Sequence, residues 1–274
     1  MAHYVIGDVQ GCFQSLVALT AHIEFDPNRD QITLAGDLIG RGPQSLQVME
    51  WVLEHTDSVD AVLGNHDLHF LAVAAGLKPI KPKDRTETLL QSPKRDRFVD
   101  WFRHCPLSID LPEHRALVVH AGVWPGWDRT TWMAGMQTIQ DRLLSTNWAH
   151  HLSEMYGNEP AHPDDAHTEA DSARFLINAA TRMRFVDRHS LALEFSHKET
   201  PDSAPDPLVP WMDSERRVAL DRQVIFGHWA MLRGQRQDTR VCALDTGCVY
   251  GDRLTALRLD DRALLSVEAV DDHG

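Results

Sequence analysis

Three times within the first 67 residues an apolar run stops at a glycine and at once delivers a side chain able to bind a metal. HYVIGDVQG (residues 3–11) delivers Asp8, ITLAGDLIGRG (residues 32–42) delivers Asp37, and AVLGNHD (residues 61–67) delivers Asn65. Each run has the length of a buried parallel strand, and each is followed by a segment with the apolar spacing of a helix. The three residues should therefore emerge side by side at the carboxyl ends of neighbouring strands, the edge where open α/β sheets place their chemistry.

The same pattern recurs later. ALVVHAGVWPGWD (residues 116–128) runs an apolar strand into His120, and VIFGH (residues 224–228) runs one into His228. A single Asp after a strand is usually a cap. Five oxygen or imidazole donors placed this way in one chain suit Mn, Fe, Co or Zn. Gly7 and Gly36 let the backbone turn sharply beside a crowded centre, and Asn65 offers a neutral oxygen that adds no repulsion between carboxylates. Asp37, in the middle strand, is the natural bridge between two ions. Two ions about 3.5 to 4 Å apart can activate a hydroxide and hold phosphoryl oxygens during in-line attack.

Between these points the chain reads as helix at residues 12–24, turn at 25–30, strand at 32–35, helix from Pro43 to about 55, strand at 59–63 and helix at 66–75. A basic loop with two prolines covers 76–85, and a helix is expected at 94–104. The middle third differs. Residues 130–148 can be helical, 153–171 are polar and rich in Pro, His and Asp, and a helix at 172–181 leads to a hairpin through 183–195. Four prolines in KETPDSAPDPLVP (residues 198–210) argue for an irregular loop. VCALDTG (residues 241–247) and two strands near 254–259 and 264–269, read as antiparallel, close the chain. An insertion at about 129–210 is therefore expected to be a pocket wall or lid within one catalytic domain spanning 1–274.

Composition limits the function classes. With 274 residues the chain can be one large domain, since single cores stop growing near about 250 to 300 residues. A formal net charge of -13 argues against binding a duplex backbone, but an acidic chain can still hold a basic pocket for a phosphate substrate. No apolar run approaches the roughly 18 residues of a membrane span, and no secretory leader precedes the first strand. Cys12, Cys105, Cys242 and Cys248 are too few and too scattered for a disulfide framework and lack zinc-site spacing. The expectation is a cytoplasmic protein.

GDVQG, GDLIGRG, GNHD, HAG and GH resemble the GDxHG, GDxxDRG, GNHE, HGG and GH motifs of the calcineurin-like metallophosphoesterases and Ser/Thr protein phosphatases. GDLIGRGPQSL, LGNHDLHFLAVAAG, KPKDR, NAATRMRF, FGHWA and ALDTGC are similar, in order and over nearly the whole chain, to the symmetrical diadenosine tetraphosphatases of bacteria. The resemblance implies a four-layer α/β/β/α sandwich, where the residues alone leave the sheets undivided. It also implies a dinuclear centre served by Mn2+ or Co2+ and cleavage of diadenosine tetraphosphate into two ADP. Related dinucleoside polyphosphates and nucleoside-tetraphosphate caps on RNA are implied as further substrates.

Carried over by position, Asp8 and Asp37 hold the first metal, Asp37 bridges, and Asn65, His120 and His228 complete the second. His66 matches the catalytic histidine, and Arg41 matches the phosphate-contacting arginine of the second motif, its planar fork suited to two phosphate oxygens. Two departures stand out. Gln10 occupies the place of a His ligand, and Gly40 the place of the Asp that orients the histidine in protein phosphatases.

Substrate length requires counter-charge along the phosphates. Lys83, Arg85, Arg182 and Arg184 are the candidates, the last two sharing a face if TRMRF is extended. Trp124, Trp127 and Trp132 read as core residues, although a Trp or Tyr156 near the pocket could stack on adenine. His197, beside Lys198, merits a weak mention, and the remaining histidines read as surface or structural. Two other readings compete: a phosphoprotein phosphatase, and a metal-stabilised interaction module without turnover.

Overall fold

The computed structural model describes residues 1–271. Strands β1 (His3–Ile6), β2 (Gln31–Leu34) and β3 (Val59–Ala61) lie parallel, linked by helices α1 (Phe13–His22) and α2 (Ser45–Glu54). Ile6 pairs with Leu34 and Leu34 with Ala61, so the chain leaves all three strands at one level. Helix α3 (Asn65–Ala74) follows, then α4 (Glu87–Gln91), α5 (Arg95–His104) and the antiparallel strands β4 (Ser108–Leu111) and β5 (Ala116–Val119). Helices α6 (Arg129–Leu144), α7 (Trp148–Ser153) and α8 (Glu169–Arg182) come next. They precede the short strands β6 (Phe185–Asp187), β7 (Leu193–Glu194) and β8 (Leu208–Pro210). Strands β9 (Gln223–Phe226) and β10 (Val241–Ala243) and the antiparallel pair β11 (Arg253–Arg258) and β12 (Leu264–Glu268) complete the described chain.

The strands form two main sheets, ordered β12-β11-β1-β2-β3 and β10-β9-β5-β4, and a small third one ordered β7-β6-β8. Successive strand residues point to opposite faces, and in β1, β2, β5 and β9 both faces are dry. Val5, Leu257, Val118, Ile225 and Cys242 form one apolar layer drawn from both main sheets. Their sequence neighbours Tyr4, Ile6, Leu117 and Phe226 pack instead with Leu16, Val48, Leu68 and Phe98 of the helices. Helix, sheet, sheet and helix are thus stacked in an α/β/β/α sandwich. Strands with two buried faces read as unbroken apolar runs, which is why periodicity alone could not divide them between sheets.

The middle third is more ordered than its composition suggests. Helix α8 begins at Glu169, three residues before the expected start, because Thr168 and Asp171 form a capping box: Asp171 N donates to Thr168 Oγ1 and Thr168 N to Asp171 Oδ2, both at 3.1 Å. The expected helix at 130–148 is α6, which ends four residues early at Leu144, and a separate helix α7 begins at Trp148. The proline-rich segment 198–210 is not wholly irregular, since Leu208–Pro210 pairs with β6 as an edge strand, where a missing N–H is tolerated. The loop 76–85 contains a 3₁₀ turn at Pro82–Asp84. Trp132 of α6 is fully buried and its indole N–H donates to Ser108 Oγ of β4 at 3.2 Å, so this helix is packed on the second sheet.

Candidate metal centre and substrate cavity

Six donor residues converge from two sheets. Asp8, Asp37 and Asn65 follow β1, β2 and β3, while His120, His228 and Asp245 follow β5, β9 and β10; every one of these strands ends at the same edge. Gln10, Asp37, Arg41 and His228 all take left-handed backbone conformations, with φ of 43°, 49°, 63° and 65°. Non-glycine residues held there are uncommon and gather at functional sites. Two glycines are required by close approach. A Cβ on Gly64 would lie 2.1 Å from Asp37 Oδ1, and one on Gly227 would lie 1.9 Å from Asp8 Oδ1.

Backbone donors fix the carboxylates. Asp37 Oδ1 accepts from His66 N at 2.8 Å, at the start of α3, where the helix dipole favours negative charge. Asp8 Oδ1 accepts from His228 N at 3.0 Å. Asp67 ties the second and third motifs together, accepting from Gly64 N at 2.9 Å and Leu38 N at 3.0 Å.

The imidazoles are set for a cation. His120 Nδ1 lies 2.9 Å from the Ala35 carbonyl and must donate to it, so the buried Nε2, 3.4 Å from Asp37 Oδ2 and without a hydrogen-bond partner, is the position that carries a proton in the ion-free chain and would offer its lone pair to an ion. His228 Nε2 donates to the Arg182 carbonyl at 3.1 Å, which likewise frees Nδ1. Donor atoms of Asp37, His120 and His228 all lie within 4.8 Å of one another. Asn65 meets them: its amide nitrogen can donate to His228 Nδ1 and Thr181 O, both at 3.1 Å. Turned over, the amide would direct its oxygen toward the same point as the imidazole lone pair. This donor set fits a divalent ion of the kind that accepts mixed oxygen and imidazole ligands. A second group able to hold an ion, Cys12, Cys248 and Asp271, lies apart from these six donors.

Electrostatics in the ion-free chain tell the same story. Burial, and then the charge of Asp245, push Asp8 well above the usual carboxylate range. Burial also lifts Asp245 itself to about 6. Burial would raise Asp37 too, but the charges of His120 and His66 outweigh it and hold this carboxyl low. Burial opposes charge on His120, yet Asp37 and Asp8 overcome it and raise the imidazole to about 10. A proton thus sits where carboxylate repulsion calls for a cation.

Beside the donors opens a cavity of about 490 Å³. Arg41, His66, Arg182 and Arg184 line it together with Gln10, whose Nε2 donates to Asp37 Oδ2 at 3.3 Å. Helix α8 ends at Arg182 and Met183 is extended (φ -63°, ψ 133°), so both arginines reach one cavity while Met183 is buried between them. Arg184 donates to the His228 carbonyl at 3.0 Å and keeps a buried, unpartnered Nε–H, a donor that an anion would satisfy. His66 titrates below its ordinary value because of burial, against the pull of Asp37. Among the described residues its ring has no hydrogen-bond partner, and Gly40 packs directly on it.

Lys83 and Arg85 are not brought to this cavity; both are exposed on the 3₁₀ turn. Their loop contributes the buried Asp84 instead, whose carbonyl accepts from Arg41 N at 3.1 Å. Sequence reasoning also missed Asp245, Trp229 and Tyr250 as cavity residues. Asp245 was detectable, since VCALDTG repeats the strand-then-acid pattern; the two aromatics carry no such signal. Trp124 and Trp132 are core residues, and Trp127 packs half-buried against them.

A sandwich with three donors from each sheet beside an arginine-lined cavity defines a metallophosphoesterase. The sequence profile of calcineurin-like phosphoesterases matches residues 1–232, and the chain belongs to that family. Within it, the chain is 43% identical over 267 residues to the symmetrical bis(5'-nucleosyl)-tetraphosphatase of Cronobacter sakazakii, covering 97% of this chain and 94% of the relative. The enzyme of the same description from Klebsiella pneumoniae is 43% identical over 262 residues, covering 96% and 93%. A crystal structure provisionally described as a diadenosine tetraphosphatase shares the fold, with a TM-score of 0.66, 24% identity, and coverage of 99% of this chain and 95% of that one. No helix among the described residues is long and apolar enough to cross a membrane.

Proposed function

We propose that this chain hydrolyses diadenosine 5',5'''-P1,P4-tetraphosphate symmetrically, giving two ADP. The observation that carries the reading is the six-donor centre opening onto a cavity walled by Arg41, Arg182 and Arg184. The two relatives at 43% identity, which are named for this reaction, support the choice of substrate. Asp8 and Asp37, assisted by Gln10 and with Asp245 beside Asp8, would hold a first ion, and Asn65, His120 and His228 together with Asp37 would hold a second. The ions are Mn2+, with Co2+ as second candidate, and when bound they supply a nucleophilic water at neutral pH and neutralise phosphoryl oxygens.

The remaining chemistry belongs to side chains. His66, on the cavity wall, donates a ring N–H to the leaving phosphate oxygen, a bond that either a neutral or a protonated imidazole can make. Arg41 holds the phosphate next to it. Arg184 and Arg182 hold the far half of the chain of phosphates, so that the second phosphorus from one adenosine lies over the donors. Related dinucleoside polyphosphates and tetraphosphate-capped RNA ends present the same phosphates and are proposed as further substrates. The whole chain acts as one catalytic domain in the cytoplasm, with residues 129–210 walling the pocket.

The test is incubation of the purified protein with diadenosine tetraphosphate or with phosphopeptides in the presence of Mn2+. ADP from the dinucleotide at a rate far above phosphate release from peptides supports the reading. The reverse preference makes the chain a phosphoprotein phosphatase, and no release from either makes it a binding module.

A further inference from the structure

Beyond the main cavity lies a second one of about 330 Å³, between α3 and α8. Asn65 and Arg182 line both. The two cavities therefore meet at a candidate metal donor and at a candidate phosphate clamp. A substrate cut into equal halves carries its reacting phosphorus near its middle, so its two nucleosides must leave the donor cluster in different directions. One cavity can take one half.

The chemistry of the second cavity suits the other. Leu68, Met155 and Ile177 supply apolar surface, Tyr156 an aromatic ring, and Asn158 and Asn178 carboxamides. Mostly apolar walls with a few fixed polar groups, in a volume of about 300 Å³ or more, are what small-molecule sites use, and aromatic rings stack on nucleobases of any sequence. The ring is held in place: Tyr156 Oη lies 3.0 Å from His69 Nδ1, and His69 Nε2 lies 3.4 Å from Asp84 Oδ2. Positive charge stands over one face of this ring and in the shared wall. Lys78 Nζ is 3.9 Å from the Tyr156 ring centroid, and Arg182 donates to Asn178 Oδ1 at 2.8 Å and Asn158 Oδ1 at 3.0 Å. Its guanidinium is thereby fixed in the wall that the two cavities share, where a phosphate passing from one to the other would meet it.

We propose that the α3–α8 cavity is the subsite for the second nucleoside of the substrate, a purine nucleoside stacked on Tyr156 with its phosphates leaving past Arg182. The proposal rests on the dinucleotide hydrolase reading above. It predicts that this cavity, more than the metal centre, makes a substrate with two nucleosides better than one with a single nucleoside.

The experiment compares kcat/KM for diadenosine tetraphosphate and for adenosine 5'-tetraphosphate, whose one nucleoside can occupy the main cavity. It uses the Mn2+-loaded wild type, Tyr156→Ala, Tyr156→Leu to keep the bulk without the aromatic face, and Tyr156→Phe. The first two variants should lose about tenfold on the dinucleotide through a higher KM, as loss of one stacked base implies, and stay within about twofold on adenosine tetraphosphate. Tyr156→Phe keeps the ring and should stay close to wild type. An unchanged preference in both altered-cavity variants, or equal losses on both substrates, overturns the subsite. Wild type that releases no ADP from the dinucleotide overturns the underlying reading instead.

Discussion

Asp37 occupies the point on which the site turns. It follows the middle strand of three, accepts from His66 N, lies 3.4 Å from His120 Nε2 and takes a hydrogen bond from Gln10. Asp37→Asn should therefore abolish turnover and lower the bound metal more than the same kind of change at any other donor. Native mass spectrometry that still finds two ions, with a near-normal rate, would contradict this. Gln10 tests the opposite direction. Its amide lies within hydrogen-bond reach of Asp37, where the family pattern has imidazole, a better donor to these ions. Gln10→His should shift the activation curve to lower free Mn2+ and leave the saturated rate little changed. A midpoint that stays put or rises would separate position 10 from the metal. Asp245 shows why a site can be half legible at this scale: its own residues announce it, but whether it faces Asp8 depends on two sheets meeting, which no local pattern encodes.

Elements carry the substrate specificity. The junction between α8 and β6 puts a helix end at Arg182 and an extended residue at Met183, and this short break brings Arg182 and Arg184 to one wall. Arg184→Ala should lower kcat/KM on diadenosine tetraphosphate at least about tenfold, roughly 1.4 kcal/mol, a modest demand on a charge-assisted hydrogen bond. On p-nitrophenyl phosphate, too short to span the clamp, the rate should change less than about threefold. Equal losses would move Arg184 to the reacting phosphate or into the fold's support. The strand-and-donor units of the first 67 residues were readable because each is local: an apolar run, a glycine and a polar residue. The α7–α8 region was not. Its order comes from a Thr168–Asp171 cap and from apolar side chains such as Phe175 and Met155 packing into a distant core, both weak signals beside the surrounding prolines and acids. Lys83 and Arg85 mislead for the same reason, since a basic run in a loop looks identical whether it faces a cavity or solvent.

At the scale of the molecule, two sheets press six donors and a proton into one dry place, and stability must respond. His120, raised to about 10, contributes stability that is fully present below the ordinary imidazole value near 6.5 and is lost as pH rises through its folded value. Asp67, lifted to about 7 by burial and then by the charge of Asp37, acts in the same direction at lower pH, between the ordinary carboxylate value and about 7. Burial lowers His66 and His228, and their contribution no longer changes with pH once the unfolded imidazoles are neutral. The metal-free chain should thus lose thermal stability between about pH 7 and 9, and Mn2+ should flatten this slope by replacing the proton. A melting temperature of the metal-free chain that holds or rises over this range would show that His120 is not the charged partner of the carboxylates. Whether this fold holds two phosphates to either side of one water attack is read from hydrolysis of diadenosine tetraphosphate in 18O-labelled water with mass spectrometry of every nucleotide. ADP should be the sole nucleotide product, with one 18O atom in one of every two ADP molecules; AMP and ATP in equal amounts would mean that the cut falls elsewhere in the chain of phosphates.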